Sequence, residues 1–287
     1  MMISTTQEKE HWDTVIEPKQ GLLDFQLAEV WRYRDLLSMF VRRDIVTVYK
    51  QTVLGPVWYV MQPVMMTAIY VLVFGNIANI PTDGLPQVLF YLSGIVLWNY
   101  FSETFTMTSK TFKENESIFG KVYFPRIIMP LSKIVSGLIK FGIQFGFFLV
   151  VYLYYVSKGY AVSPTGYVVF LPLLIVLMAG LSLGCGIIFT SLTSKYRDLN
   201  FLIQFGVQLL MYATPVIYPL STIPEQYKLV IMANPMTPIV ESFRYALLGE
   251  GTFDWGHLGY SAGFTLVLLV VGTIIFNKTE KTFMDTV

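Results

Sequence analysis

The sequence predicts an all-α integral membrane protein with six transmembrane helices, an N-terminal amphipathic interface helix, and broken re-entrant or gate helices between spans five and six. Two observations carry the class. The 287 residues are 54% hydrophobic and only 14% charged, against about 25% charged in an ordinary soluble domain. Several stretches also exceed the ~18 apolar residues that separate a membrane span from a buried core helix. Cys185 is the one cysteine, so an internal disulfide or a cysteine-based metal site is excluded. Its setting in AGLSLGCGIIF reads as packing. A net charge of +1 gives no electrostatic footing for a nucleic-acid partner.

The elements follow in order. Residues 1–28 are polar, with scattered charges and Pro18, and lack the apolar core of a signal peptide. They read as a cytoplasmic tail. In the segment 29–53, Val30, Tyr33, Leu37, Phe40, Val41 and Val48 recur at three- and four-residue spacings, which puts them on one helix face. Arg32, Asp35, Ser38, Arg42 and Lys50 fall on the other, while Arg34 and Asp44 break the pattern. Such a helix, joined directly to a span, belongs in the cytoplasmic interface. Two roles remain open for it, a plain membrane anchor or a docking surface. Gly55-Pro56 predicts the bend into the membrane.

A six-span permease domain is expected over 54–278. The spans are Leu54–Ile77, Val88–Met107, Ile134–Val156, Val168–Leu192, Leu199–Pro219 and His257–Phe276, each about 20 residues or more. Gln204, Gln208 and Pro215 interrupt the fifth. The apolar region Leu229–Leu248 is broken by NPMTP and holds Glu241 and Arg244, so it reads as re-entrant or interfacial. Residues 279–287 are a second cytoplasmic tail. With an even number of spans both termini share a side, and cations choose it. Fifteen Lys and Arg lie on one side: Lys9, Lys19, Arg32, Arg34, Arg42, Arg43, Lys50, Lys110, Lys113, Lys121, Arg126, Lys195, Arg197, Lys278 and Lys281. The opposite loops hold three, Lys158, Lys228 and Arg244. Both ends are therefore expected inside.

Spans one, four and five carry no charged residue, which argues against ion-coupled transport. Lys140 reads as snorkelling from near the cytoplasmic start of span three, and Glu103 is left open between a structural and a functional role. Gly180, Ser182, Gly184 and Gly186 predict close helix packing. Residues 54–156 and 168–276 show no internal repeat of the kind secondary transporters carry. His11 and His257 are the only histidines, with no acid pair at useful spacing, so a membrane-embedded transferase finds no support.

YKQTVLGPVWYVMQPVMMTAIYVLVFG (49–75), KVYFPRIIMPLS (121–132), SKYRDLNFLIQF (194–205), TPVIYP (214–219) and NPMTPIVESFRYALLG (234–249) resemble, in order, the blocks of the membrane subunits of ABC-type polysaccharide exporters, the permeases for O-antigen, capsule or teichoic-acid chains. The tail FNKTEKTFMDTV also fits. Two positions depart from the family pattern: Ile127 stands where an acidic residue often follows the arginine of the Tyr-Phe-Pro-Arg block, and Lys140 stands where a neutral or acidic residue is expected. A drug or lipid exporter of the ABC class would share the layout.

The resemblance implies a permease that is not itself an enzyme and binds no cofactor. The chain indeed has no G-x-x-x-x-G-K-[ST] loop. It also implies two permease copies working with two nucleotide-binding ATPase subunits, which hold the ATP and Mg2+. Coupling to the ATPase is expected at Arg42 and Arg43 of the interface helix, at Glu114 and Glu116 of the loop 109–124, and at Tyr196, Arg197 and Asp198 between spans four and five. A polysaccharide presents hydroxyls and apolar ring faces, so flat aromatics and amides suit its path: Trp58, Tyr59, Gln62, Gln204, Phe205, Gln208, Tyr212 and Tyr218. Aromatic membrane belts offer a competing reason for the same rings. A lipid diphosphate would need cations at the cytoplasmic mouth, for which Lys121, Arg126 and Lys133 are candidates.

Overall fold

A computed structural model describes residues 27–50, 54–119, 121–122, 124–196 and 198–284. Among these residues every regular element is helical. The helices are α1 (Leu27–Arg32), α2 (Arg34–Lys50), α3 (Val57–Tyr70, running on as a π-helix over Val71–Ile77), α4 (Gln87–Thr108), α5 (Thr111–Glu114), α6 (Glu116–Phe119), α7 (Ile128–Ser157), α8 (Leu171–Lys195), α9 (Leu199–Tyr212), α10 (Glu225–Met232), α11 (Met236–Leu248) and α12 (Trp255–Met284). Short 3-10 turns precede α8 (Gly166–Phe170) and α10 (Leu220–Thr222).

Among the described residues, four segments are long and apolar enough to cross a membrane: Val57–Ile77, Ile128–Ser157, Gly166–Lys195 and Trp255–Glu280. The other two expected spans differ in kind. α4 has 22 residues, about 33 Å of helix, but Ser93, Asn99, Ser102, Glu103, Thr104 and Thr106 dilute its apolar character. It is the central helix, packed by α3, α7, α8, α9 and α11, and every residue from Leu89 to Trp98 is buried. α9 stops at Tyr212 instead of reaching Pro219. Its 14 residues cover about 21 Å, short of ~30 Å of hydrocarbon. Thr214, Pro215, Val216 and Ile217 then run through the interior as buried, irregular chain.

α7 and α12 both outrun their expected spans. α7 starts six residues early, at Ile128, so Lys140 lies about 18 Å along the helix rather than within two turns of its start. α12 continues through the segment read as a tail, to Met284. At its other end Asp254 Oδ1 accepts hydrogen bonds from the backbone N–H of Gly256 (2.6 Å) and His257 (3.0 Å), an N-cap. The His257 and Gly256 N–H groups hold this carboxyl below its ordinary pKa. Gly55, between α2 and α3, takes φ +47°, where a Cβ is strained, and Pro56 N-caps α3. With Val57 N–H donating to Leu54 O at 3.0 Å, the chain turns at this expected place into α3, while residues 51–53 lie outside the described residues.

The glycine reading holds in detail. α8 and α12 lie against each other along much of their length. A Cβ on Gly184 would stand 2.9 Å from Leu268 Cβ and 3.2 Å from its carbonyl carbon, and one on Gly180 2.9 Å from Thr265 Cγ2. Two apolar clusters fill the bundle. The larger joins α4, α7, α8 and α11 through residues such as Tyr91, Phe101, Phe148, Met178 and Phe243. The smaller gathers Phe40, Phe112, Phe119, Phe124, Ile128, Ile187 and Phe276 at the end carrying α2, α5 and α6, with Phe112 and Phe276 stacked at 4.8 Å.

Irregular chain inside the protein leaves backbone groups to be satisfied. Two side chains from the broken segment do this. Asn234 Nδ2 donates to Ala213 O (3.2 Å) and Thr214 Oγ1 (2.7 Å), closing the C-terminal end of α9. Sequence position makes Arg244 a loop cation, but the structure buries it, at 1% exposed. Its guanidinium donates to Pro215 O (2.5 Å), Val216 O (3.0 Å), Phe90 O (3.4 Å) and Ser93 Oγ (3.2 Å). It also pairs with Glu241 at 3.6 Å and lies 3.8 Å from the Phe90 ring centroid. Gly94 makes room, since a Cβ there would come within 2.8 Å of Arg244 Nη2.

Removing this guanidinium orphans several buried carbonyls and the Glu241 carboxylate, a loss of about 3–5 kcal/mol for a broken buried pair. Arg244→Met should markedly lower the thermal unfolding midpoint of the detergent-purified protein. Lys228→Ala, which removes an exposed i,i+3 pair with Glu225, should leave it unchanged.

Candidate functional site

Two groups of polar residues stand out, one at the α2 end of the bundle and one partway along α4. At the first, three elements meet. Lys133 Nζ of α7 pairs with Asp44 Oδ2 of α2 at 2.8 Å, and Phe40 lies against Phe124 at 5.8 Å. Asp44 is the residue that broke the amphipathic pattern, and this pair is why. The Arg126 guanidinium, 5% exposed, reaches Glu280 of α12 through Nη1 to the backbone O (3.2 Å) and Nε to Oε1 (3.7 Å), and it lies 5.2 Å from the Phe119 ring. Burial pushes this guanidinium below its ordinary pKa, with Glu280 opposing. The loop carrying α5 is pinned to the end of α8: Phe112 N donates to Thr190 Oγ1 (3.1 Å) and Thr193 Oγ1 to Ser109 O (2.8 Å).

The predicted coupling residues therefore gather at one end. Arg42 is exposed on α2. Arg43 is bound to Asp44 at 3.0 Å and stacked 4.9 Å from the Phe40 ring. Glu114 and Glu116 are exposed on α5 and α6, as are Tyr196 and Asp198 between α8 and α9. Arg197 lies outside the described residues. Of the three diphosphate candidates, Lys121 is exposed, while Arg126 and Lys133 are buried in the pairs just described.

The second group lies where α3, α4, α7 and α9 come together. Lys140 Nζ of α7 meets Glu103 Oε2 of α4 at 2.5 Å and lies 5.1 Å from the Tyr59 ring of α3. Lys140 is thus held by an acid on the neighbouring helix, not extended to the interface as expected. Its partner opens on a cleft of about 360 Å3 lined by Ser102, Glu103, Thr106 and Met107 of α4 and by Gln204, Val207 and Gln208 of α9. Tyr59 is 9% exposed and its carbonyl accepts from Gln144 Nε2 at 3.1 Å, so it is packed against α7 rather than lining the cleft. Trp58, Gln62, Phe205 and Tyr212 are exposed, and Tyr218 is half-buried with its hydroxyl on Tyr212 O at 2.7 Å. Phe205 and Tyr212, with Phe201, Leu202 and Leu209, make the exposed face of α9 broadly aromatic and apolar.

Sequence reasoning picked the amides of α9 and missed what faces them. Ser102 and Thr106 bracket Glu103 at helical spacing, a polar run legible in span two. The pairings Asp44–Lys133 and Arg126–Glu280 had no local signal, because 89 and 154 residues separate the partners.

Comparison with known proteins covers most of the chain. It is 29% identical to an O-antigen export system permease protein RfbA of Klebsiella pneumoniae, over 88% of this chain and 94% of that one. It is 27% identical to the protein of the same name from Myxococcus xanthus, over 91% and 98%. The polysialic acid transport protein KpsM of Escherichia coli matches at 24%, over 84% and 92%. Residues 35–248 match the ABC-2 type transporter family, and the chain belongs to that family of membrane proteins.

Proposed function

We propose that this chain is the transmembrane subunit of an ATP-driven ABC exporter that carries a lipid-linked polysaccharide, of O-antigen, capsule or teichoic-acid type, from the cytoplasm across the inner membrane. The observation that carries the reading is near full-length similarity to proteins named as O-antigen and polysialic acid permeases. A polar cleft beside an aromatic face supports it. ATP and Mg2+ are held by a separate ATPase, two copies of which serve two copies of the permease.

Six crossings with both termini cytoplasmic remain the proposed topology. α4 crosses inside the bundle, and α9 together with the irregular chain to Pro219 makes the fifth passage. α10 and α11 then form a broken outer gate. Relocating Arg244 to the interior lowers the opposing cation count from three to two, so the asymmetry sharpens. Mechanical coupling follows from the contacts. A push on α2 reaches α7 through Asp44–Lys133, and α8 and α9 are joined by only Tyr196, Arg197 and Asp198. A subunit docked there moves both helices together. The glycan then slides over rings and amides without one deep site.

Deleting the permease should abolish surface polysaccharide, and its return should restore it. Accumulated surface glycan in the deletion strain would overturn the reading. The purified chain alone should hydrolyse no ATP above a blank. In a Cys185→Ser background, single cysteines at Asp83, Lys158 and Gln226 should label from outside, and labelling of Gln226 from the cytoplasm alone would refute the proposed fifth passage. Replacing Arg197 and Asp198 together with alanine should leave the inserted amount within normal range, since Asp198 is exposed and surface substitutions cost less than about 0.5 kcal/mol. Export should fall with it. Wild-type export together with normal co-purification of the ATPase would remove this loop from the coupling path.

A further inference from the structure

α4 is buried on every face but one. Of its residues from Leu89 to Thr108, only Asn99, Ser102, Glu103, Thr106 and Met107 are not buried. They fall at i, i+3, i+4, i+7 and i+8, which is a single helical stripe, and four of the five are polar. The Asn99 amide nitrogen is buried without a hydrogen-bond partner. Ser102 Oγ donates to Asn99 O (3.3 Å) and Thr106 Oγ1 to Ser102 O (2.7 Å), so both hydroxyl oxygens keep lone pairs free to accept from outside the helix. Glu103, with its side chain 35% exposed, stands nearer the surface than Lys140 at 16%. Gln204 and Gln208 face the stripe across the cleft.

A stripe of this composition facing lipid hydrocarbon would be costly, since acyl chains offer its groups no partner. It suits a polar occupant. The chemistry selects the kind: amides that donate and accept, hydroxyl oxygens that accept, and one carboxylate whose charge is already matched by a lysine behind it. Hydroxyls of a sugar can donate to all of these acceptors. An anionic sugar meets the Glu103 carboxylate first, while the only cation of the pair is shielded behind it.

We infer that the α4 stripe, with the Glu103–Lys140 pair at its centre, is a glycan-contacting track that selects chains of uncharged sugars and disfavours uronate- or sialate-bearing ones. This rests on the exporter reading. Lys140 is a positioning residue, since it acts through Glu103.

The test uses the full chain with its partner ATPase in cells, and the purified chain in nanodiscs. Exchanging the pair (Glu103→Lys with Lys140→Glu) rebuilds the α4–α7 bond but turns the cation toward the cleft. Membrane-inserted permease should return to at least half the wild-type amount, while surface glycan per inserted permease falls at least tenfold. In nanodiscs, saturation-transfer NMR should give several-fold stronger transfer to a neutral oligomannoside than to an oligogalacturonate of equal length, and the exchanged pair should reverse that order. A second variant, Asn99→Leu with Ser102→Ala and Thr106→Val, makes the stripe apolar. With the Glu103–Lys140 pair kept and only the uncharged polar groups of the stripe removed, it should insert normally and lose export. Wild-type export from either variant, equal transfer to both oligosaccharides, or loss of the permease dimer in the exchanged variant would overturn the inference. The last result would put the stripe at a subunit contact instead. Failure of wild-type permease to restore surface glycan would count against the exporter reading alone.

Discussion

The buried Arg244 guanidinium is the interaction on which the half of the molecule around α10 and α11 depends. The chain between α9 and α10 breaks its helix inside the protein, where backbone carbonyls cannot turn to water. The planar fork of arginine reaches Pro215 O, Val216 O, Phe90 O and Ser93 Oγ at once, and Glu241 balances its charge. A lysine could not span that set, because its ammonium is a point donor on a flexible stem. One side chain therefore ties α4, the irregular strand of chain and α11 together. Asn234 supplies the second tie, and Gly249, at φ +78°, ends α11 in a left-handed cap.

The opposite end is held differently. There two ion pairs with low exposure, Asp44–Lys133 and Arg126–Glu280, join α2 and α12 to the start of α7. Aromatic stacking fills the space between them. Buried pairs of this sort contribute little net stability compared with apolar replacements, but breaking one leaves a charge stranded. Their value here is geometric: they fix the register of the amphipathic helix against a membrane helix. A helix attached by lipid contact alone would have no such fixed register.

Between the ends, α4 sits where every neighbour meets, and the close approach of α8 and α12 at Gly180 and Gly184 sets the outer wall of that packing. A helix so enclosed can carry polar residues that an isolated span could not. Its one uncovered stripe opens toward α9, which has only 14 residues. The polar stripe and the short helix thus meet at one cleft.

The sequence by itself determined the class and most of the elements. Long apolar runs have no soluble solution, the period of 3.6 in residues 29–50 marks an amphipathic helix, and Gly55-Pro56 and the small residues around Gly184 mark a bend and a tight contact through local sterics. Block similarity to a transporter family was also legible, since it needs no coordinates. What tertiary structure decided were the partners of charges. Arg244 looks like a loop cation in a window of ten residues and becomes an interior hub only when Phe90, Ser93 and Val216 are brought to it. Lys140 reads as snorkelling until Glu103 arrives from another helix, and Asp44 as a flaw in a pattern until Lys133 does. The length of α9 was misread for the same reason: Thr214 to Ile217 are as apolar as a span, and only the side chains of Asn234 and Arg244 make it affordable for that segment to leave the helix. Electrostatic and hydrogen-bond satisfaction are non-local, so periodicity along the chain carries no record of them.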